Sequence, residues 1–265
     1  MLKRNNRVIN NRVIKWSWQL GITALILVAW EFMPPALGIS ELILPRFSAI
    51  VGWATEPSLA GAGSLSSNMI VTLREILIAF GIASAAGILV GTVIGTSRSA
   101  NALLQPILTG LFAVPLITLI PMFLVTFGLG EPSKIAFGSL YAFFPVLFNT
   151  TAGVASVSQT HRQVGRAYGL SPFARFYKII VPGASSEIIG GLQIGMSISI
   201  IAVVSAEVFG STAGMGYLVQ RSSQALNGPA VWFIILVTML MAWALLIFIR
   251  LLSRLLLIRA NIRSV

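Results

Sequence analysis

Cysteine is missing from all 265 residues, and histidine occurs once, at His161. Without cysteine there is no disulfide framework and no thiolate metal site, and a single histidine excludes a multi-histidine centre. Charge is scarce too. Only 9% of the residues are Asp, Glu, Lys or Arg, against about a quarter in an ordinary soluble domain. Acids are the scarcest, seven against eighteen bases. The chain has no G-x-x-x-x-G-K-[ST] phosphate loop, so it cannot cradle ATP in that way. Nor does it hold the clustered His, Asp, Glu or Cys that a membrane-embedded enzyme would need.

What fills the chain is apolar: 56% of residues are hydrophobic and the mean hydropathy is +0.90. Crossing about 30 Å of hydrocarbon takes roughly 20 mainly apolar residues. Six segments qualify, near 17–33, 74–95, 103–127, 134–156, 186–209 and 231–253. They predict an all-α polytopic membrane protein with about six transmembrane helices. The basic N-terminal tail, 1–16, precedes an apolar run that lacks a strong cleavage site, so the first span is read as uncleaved. Residues 34–70 form an external segment. A core follows over 71–260, interrupted by a polar element at 157–185 and a Gly/Ser-rich loop at 210–230. Pro115 and Pro121 are expected to bend the third span.

The net charge of +11 would raise the question of nucleic acid in a soluble protein, but here the bases cluster in connecting segments. If the N-terminus is cytoplasmic, the inner side holds 14 of the 18 Lys and Arg residues, leaving Arg46, Arg74, Lys134 and Arg221 outside. The positive-inside rule therefore places both ends and the 157–185 element in the cytoplasm. Arg74 and Glu75 are expected at the outer start of the second span, salt-bridged or solvated. The spans read as nearly free of central charge.

The element carries RAYGLSPFARFYKIIVP, Arg166 to Pro182. Gly169 suits the left-handed position past a helix end, while Ser171 is a good N-cap and Pro172 a good first helical residue. The spacing predicts one short helix ending near Tyr168 and another starting at Pro172. On the second, Phe173, Phe176, Tyr177 and Ile180 fall at i, i+3, i+4 and i+7. Pro182 should break or kink it. Such a helix either lies on lipid headgroups or inserts aromatic anchors into a partner's groove; spacing does not separate the two.

Asn149, Thr150 and Thr151 in the fourth span, with Gln193, Ser197, Ser199 and Ser205 in the fifth, either line a solute pathway or join helices by hydrogen bonds. Gly190, Gly191 and Gly195 read as sites of close helix approach. Glu207, near the outer end of the fifth span, is either a structural anchor or a solute contact.

The stretch from Gln163 resembles the cytoplasmic loop of ABC importer permeases, whose pattern is Glu-Ala-Ala, three residues, Gly, nine residues, Ile-x-Leu-Pro. Here Gln163-Val164-Gly165 stands for the first three, Gly169 for the glycine, and Ile179-Ile180-Val181-Pro182 for the end. The stretches TLREILIAFGIASAAGILVGTVIG, VPLITLIPMFLVTFGLGEPSKI and GLQIGMSISIIAVVSAEVFGSTAGMGYLV extend the likeness over roughly 65–260, toward permeases for nitrate, sulfonates, taurine, bicarbonate and heterocyclic precursors.

That resemblance implies a bacterial inner-membrane transport subunit, not an enzyme, with a two-helix coupling loop. Its coupling residues would be Gln163, Val164, Gly165, Arg166, Gly169, Ser171, Pro172, Phe173, Phe176, Tyr177 and Pro182. Asn149, Gln193, Ser197 and Glu207 are the pathway candidates. The implied partners are two ATPase subunits, a second permease copy, an external solute-binding protein and membrane lipid, with no nucleic acid. ATP and Mg would sit on the ATPase, with no cofactor on this chain. The rival reading is an ATPase-independent secondary transporter, which usually carries midplane ionisable residues and inverted repeats.

Overall fold

In the computed structural model, residues 2–55 and 64–259 are described. Of the bases assigned to the cytoplasm, Arg263 lies outside the described residues, as do the side chains of Lys3, Arg4, Arg7, Arg12, Lys15, Arg162, Arg254 and Arg259. Among the described residues every regular element is helical: α1 (Leu2–Ala36), α2 (Phe47–Gly52), α3 (Leu65–Thr96), α4 (Arg98–Ala113), α5 (Ile120–Phe127), α6 (Glu131–Ser156), α7 (Gln159–Ala167), α8 (Pro172–Arg175), α9 (Val181–Gly183), α10 (Ser185–Phe209), α11 (Met215–Gln224) and α12 (Gly228–Arg259). Five helices are long and apolar enough to cross a membrane, and a sixth span results if α4 and the segment Leu116–Phe127 count as one.

Several boundaries differ from the sequence reading. The second span starts at Leu65, not near 74, because Ser64 caps it: its hydroxyl accepts from the Ser67 N–H at 3.3 Å. Ser97 caps α4 in the same way, through Ala100 N–H, so the stretch between the second and third expected spans is mostly helix. The third span bends by 70° at Val114 and Pro115. Pro121 does not bend it. It stands at the start of α5, where its missing N–H costs nothing. The 210–230 segment is not all loop, since it contains α11.

Helix α6 is the central element, flanked by α3 and α10. In hydrocarbon the apolar effect does not press helices together, so close van der Waals packing has to hold them. Glycines provide it. A Cβ on Gly91 would stand 2.8 Å from the Leu147 carbonyl oxygen, and one on Gly95 would stand 2.7 Å from that of Thr151. Gly87 meets Val146 on the same flank, and on the other flank Gly191 and Gly195 meet Asn149 and Val146. Gly190 has open space around its Cβ position and takes no part. The hydrogen bonds Thr151 Oγ1 to Gly91 O (3.3 Å) and Ser199 Oγ to Ile76 O (3.3 Å) join α6 to α3 and α10 to α3.

Aromatic rings tie α4 and α5 to α6: Phe112 lies 5.3 Å from Phe144, and Phe123 lies 5.6 Å from Phe137. At the α11 end, the turn after α1 is pinned by two indole N–H groups. Trp30 donates to Pro45 O and Trp232 to Ile43 O, both at 3.1 Å.

Gly91→Ala is expected to force α3 and α6 apart and to destabilise the fold by about 1–3 kcal/mol. Gly81→Ala, with nothing within 4 Å of its Cβ position, is the matched control and should cost nothing measurable. Thermal unfolding of the two variants in detergent checks this, and equal midpoints would refute the role given to Gly91.

Candidate functional site

The 157–185 element has the local chemistry that the sequence predicts. Ser158 caps α7 by accepting from His161 N–H, and its hydroxyl also lies 3.0 Å from His161 Nδ1. At the far end Leu170 N–H donates to Gly165 O (3.0 Å) and Gly169 N–H to Arg166 O (2.9 Å). This paired closure requires a left-handed residue past the helix end, and Gly169 has φ +69. Ser171 then accepts from Ala174 N–H at 3.2 Å, with Pro172 at the first helical position.

The aromatic stripe does not survive intact. Residues Phe176–Ile180 form a π turn, with Val181 N–H reaching back to Phe176 O. The wider turn rotates later side chains away from the positions that a 3.6-residue period assigns them. Phe173 and Tyr177 stay outside, 77% and 68% exposed, stacked at 6.4 Å with 20° between their rings. Phe176 turns inward beside Ile179. Ile180 packs with Val157, Ala184 and Ile188. Pro182 lies in the short α9, and the helix is interrupted at Ala184 before α10 starts at Ser185, so the break falls just after the proline.

Gly165 is buried, and its missing side chain lets α7 close on the π turn. A Cβ there would stand 2.5 Å from Ile179 Cδ1 and 3.2 Å from Arg175 Cγ. Gln163 and Arg166 are exposed, and α7 presents Val164 (46% exposed) and Tyr168 (81%) one turn apart.

The pathway candidates do not meet at one place. Asn149 lines a cavity of about 430 Å³, together with Asn101, Gln105 and Thr109 of α4 and Thr151 of α6; its amide donates to Pro145 O at 2.8 Å. Gln193 and Ser197 are half-buried on α10 and lie off this cavity; Ser197 Oγ donates to Gln193 O on its own helix. The α4 contribution escaped the sequence reading. Its signal was the spacing of Asn101, Gln105 and Thr109, four apart, which lines one helix face.

Glu207 lies at the opposite end and is fully enclosed. Helix α11 begins after Gly214, which has φ +112 and no side chain to cap with. Its first N–H groups are capped from other helices instead. Gly214 N–H donates to Asn68 Oδ1 (2.7 Å), Met215 N–H to Thr72 Oγ1 (2.8 Å) and Gly216 N–H to Glu207 Oε2 (2.7 Å). Thr72 in turn donates its hydroxyl to Glu207 Oε1 at 2.6 Å. A side chain at Gly214 would run into the Glu207 carboxylate.

Glu75 and Lys134 stand beside this pair, both buried. Lys134 Nζ donates to the carbonyls of Leu129 and Gly130. The expectation of a surface position for Glu75 and of uncharged spans is thus corrected: α3 starts nine residues early, which carries residue 75 inside the bundle. Arg74 does face outward and pairs with Glu131. Lys134 lies in the first turn of α6 and Glu207 in the last of α10, whereas Glu75 is ten residues past the start of α3.

Glu207→Leu should leave the Gly216 N–H and the Thr72 hydroxyl without acceptors, at about 1–3 kcal/mol for each. Thr72→Val should cost less. Chemical unfolding in detergent measures both, and a Glu207→Leu variant as stable as the parent would show that the cluster does not hold α11.

Residues 83–259 match the family model described as binding-protein-dependent transport system inner membrane component. A putative ABC transporter permease of Methanocaldococcus jannaschii is 33% identical over 204 residues, 76% of each chain. The taurine transport system permease protein TauC of Escherichia coli is 31% identical over 264 residues, 94% of each chain. A chain from inward-facing conformations of the MetNI methionine ABC transporter shares the fold, with a TM-score of 0.58 at 15% identity. The match covers 74% of this protein and 95% of that chain. The chain therefore belongs to the family of binding-protein-dependent transport system inner membrane components, as a multi-pass ABC transporter permease of the import type.

Proposed function

We propose that this chain is the membrane subunit of an ATP-driven importer and that its α7–π-turn element docks into a cleft on a separate ATPase subunit. The observation that carries this reading is the stacked, exposed pair Phe173 and Tyr177 on an element made rigid by Gly169, Ser171 and Pro172. Two large rings held outward in a fixed geometry form a preorganised anchor, which lowers the entropy cost of binding a partner. Val164 and Tyr168 extend the apolar face along α7. Lipid-surface binding would need no such fixed geometry.

A second permease copy completes the pathway, and an external binding protein delivers the solute. Asn149, Gln193 and Ser197 offer amide and hydroxyl groups along that route, whereas Glu207 serves as an anchor of α11. The solute is a small sulfonate or other oxyanion, a reading supported by the taurine permease among the relatives. ATP and Mg are held by the ATPase. The bias of basic residues supports a cytoplasmic position for both chain ends and for the docking element.

Truncating one anchor in such a pocket costs about 2 kcal/mol or more, roughly a 30-fold loss of affinity. Phe173→Ala is therefore expected to leave membrane insertion intact, to reduce co-purification of the ATPase and to abolish uptake. Gly169→Val should act alike, because a β-branched residue is strained at φ +69. A fully coupled complex carrying both substitutions would sink the docking reading. Orientation is tested by Ala167→Cys and Gln224→Cys in this cysteine-free chain. An impermeant thiol reagent on intact cells should label residue 224 and spare residue 167; the reverse pattern overturns the topology.

A further inference from the structure

We propose that the pocket between α7, the π turn and the end of α3 binds an oxyanion through Arg166 and Arg175. The pocket measures about 280 Å³ and is walled by Thr96, Arg166, Pro172, Arg175, Phe176 and Ile179. It lies on the inward side of the element, with Phe176, away from the outward pair Phe173 and Tyr177. The proposal therefore does not rest on the docking reading.

Arg175 Nε is shut off from solvent and has no hydrogen-bond acceptor among the described residues. An atom that solvent cannot reach is not reached by a ligand either, so contact with an anion in the pocket falls to the outer Nη groups of Arg175 and Arg166. No ion pair among the described residues neutralises either arginine. Between Glu131 and Glu187 the sequence contains no acidic residue. The ion pairs of the described residues, Arg46–Glu41 and Arg74–Glu131, are elsewhere. The guanidinium stem is also held in place, because Arg175 Cγ and Cδ lie 3.2 and 3.4 Å from the Cβ position of Gly165. Glycine at 165 makes the room, and a larger residue would push the arginine out.

Two guanidinium forks present paired N–H donors, the geometry that matches phosphate, sulfate or sulfonate oxygens. A pocket of this size is near the small end of ligand cavities, roughly 300–1,000 Å³, and accommodates a tetrahedral anion. The anion comes from one of two sources: a free ion, or the headgroup phosphate of an anionic lipid. Bound there, it bridges α7 and α8 beside the end of α3 and fixes the stance of the element.

The test uses the full chain. In detergent without added lipid, inorganic phosphate and sulfate are titrated at constant ionic strength against chloride while thermal unfolding is followed. A saturable rise in midpoint, weakened about tenfold or more in apparent affinity by Arg175→Gln and Arg166→Gln and unchanged by Lys178→Gln, supports a free-ion site. In a second arm, native mass spectrometry follows retention of phosphatidylglycerol against phosphatidylcholine. Retention by the parent and by Lys178→Gln, lost in Arg175→Gln, supports the lipid source. Arg175→Lys keeps the charge but loses the fork, so it should lose the ligand while keeping the ligand-free midpoint. No saturable binding in either arm, or equal binding by the parent and Arg175→Gln, overturns the proposal.

Discussion

The close approach of α3 to α6 is the constraint on which the other helices depend. Gly87, Gly91 and Gly95 recur every four residues, so one face of α3 is bare backbone for more than two turns. In a medium as apolar as the side chains themselves, that bare face is what makes contact worth more than lipid. Thr151 then reaches the Gly91 carbonyl, and the two helices become one slab. With α6 fixed on that side, Gly191 and Gly195 of α10 can press on the other. Helix α6 thereby sets the distance between the helices that lead to both ends of the molecule.

The polar groups follow from this arrangement. Two of the buried charged groups, Lys134 and Glu207, sit near helix ends where backbone groups need partners. Asn68, Thr72 and Glu207 satisfy N–H groups that α11 cannot satisfy itself. In doing so they lock α3, α10 and α11 together through bonds spanning far more chain than any local cap. At the other end the 157–185 element is almost self-contained, with caps and turns closed within a few residues. One end is therefore rigid through long-range bonds and the other through local ones. The second is suited to present a fixed shape to a partner.

Legibility followed the range of the interactions. Gly169, Ser171 and Pro172 could be read directly, because a left-handed C-terminal closure and an N-cap are decided by neighbours in sequence. The spans were legible as apolar runs, but their ends were not: nine residues of α3 before Arg74 contain Ser66, Ser67 and Asn68, which look like loop and become helix once Ser64 caps them. The aromatic stripe failed at Ile180, at the end of a π turn that a period of 3.6 cannot foresee, and at Phe176, which faces the pocket beside Ile179. The polar face of α4 was present as Asn101, Gln105 and Thr109, but only the bend at Pro115 and the neighbouring wall of α6 turn that face into a cavity.

The sequence by itself determined the membrane as solvent, the apolar runs that become spans, the two-helix shape of the 157–185 element and, through its motif, the family. Each of these depends on composition or on groups a few residues apart. Tertiary structure alone decided that Glu75 is buried, that Glu207 holds α11, and that Arg166 and Arg175 line one pocket. Those outcomes depend on which helix faces meet, and a glycine or a glutamate shows its partner only when distant segments have come together.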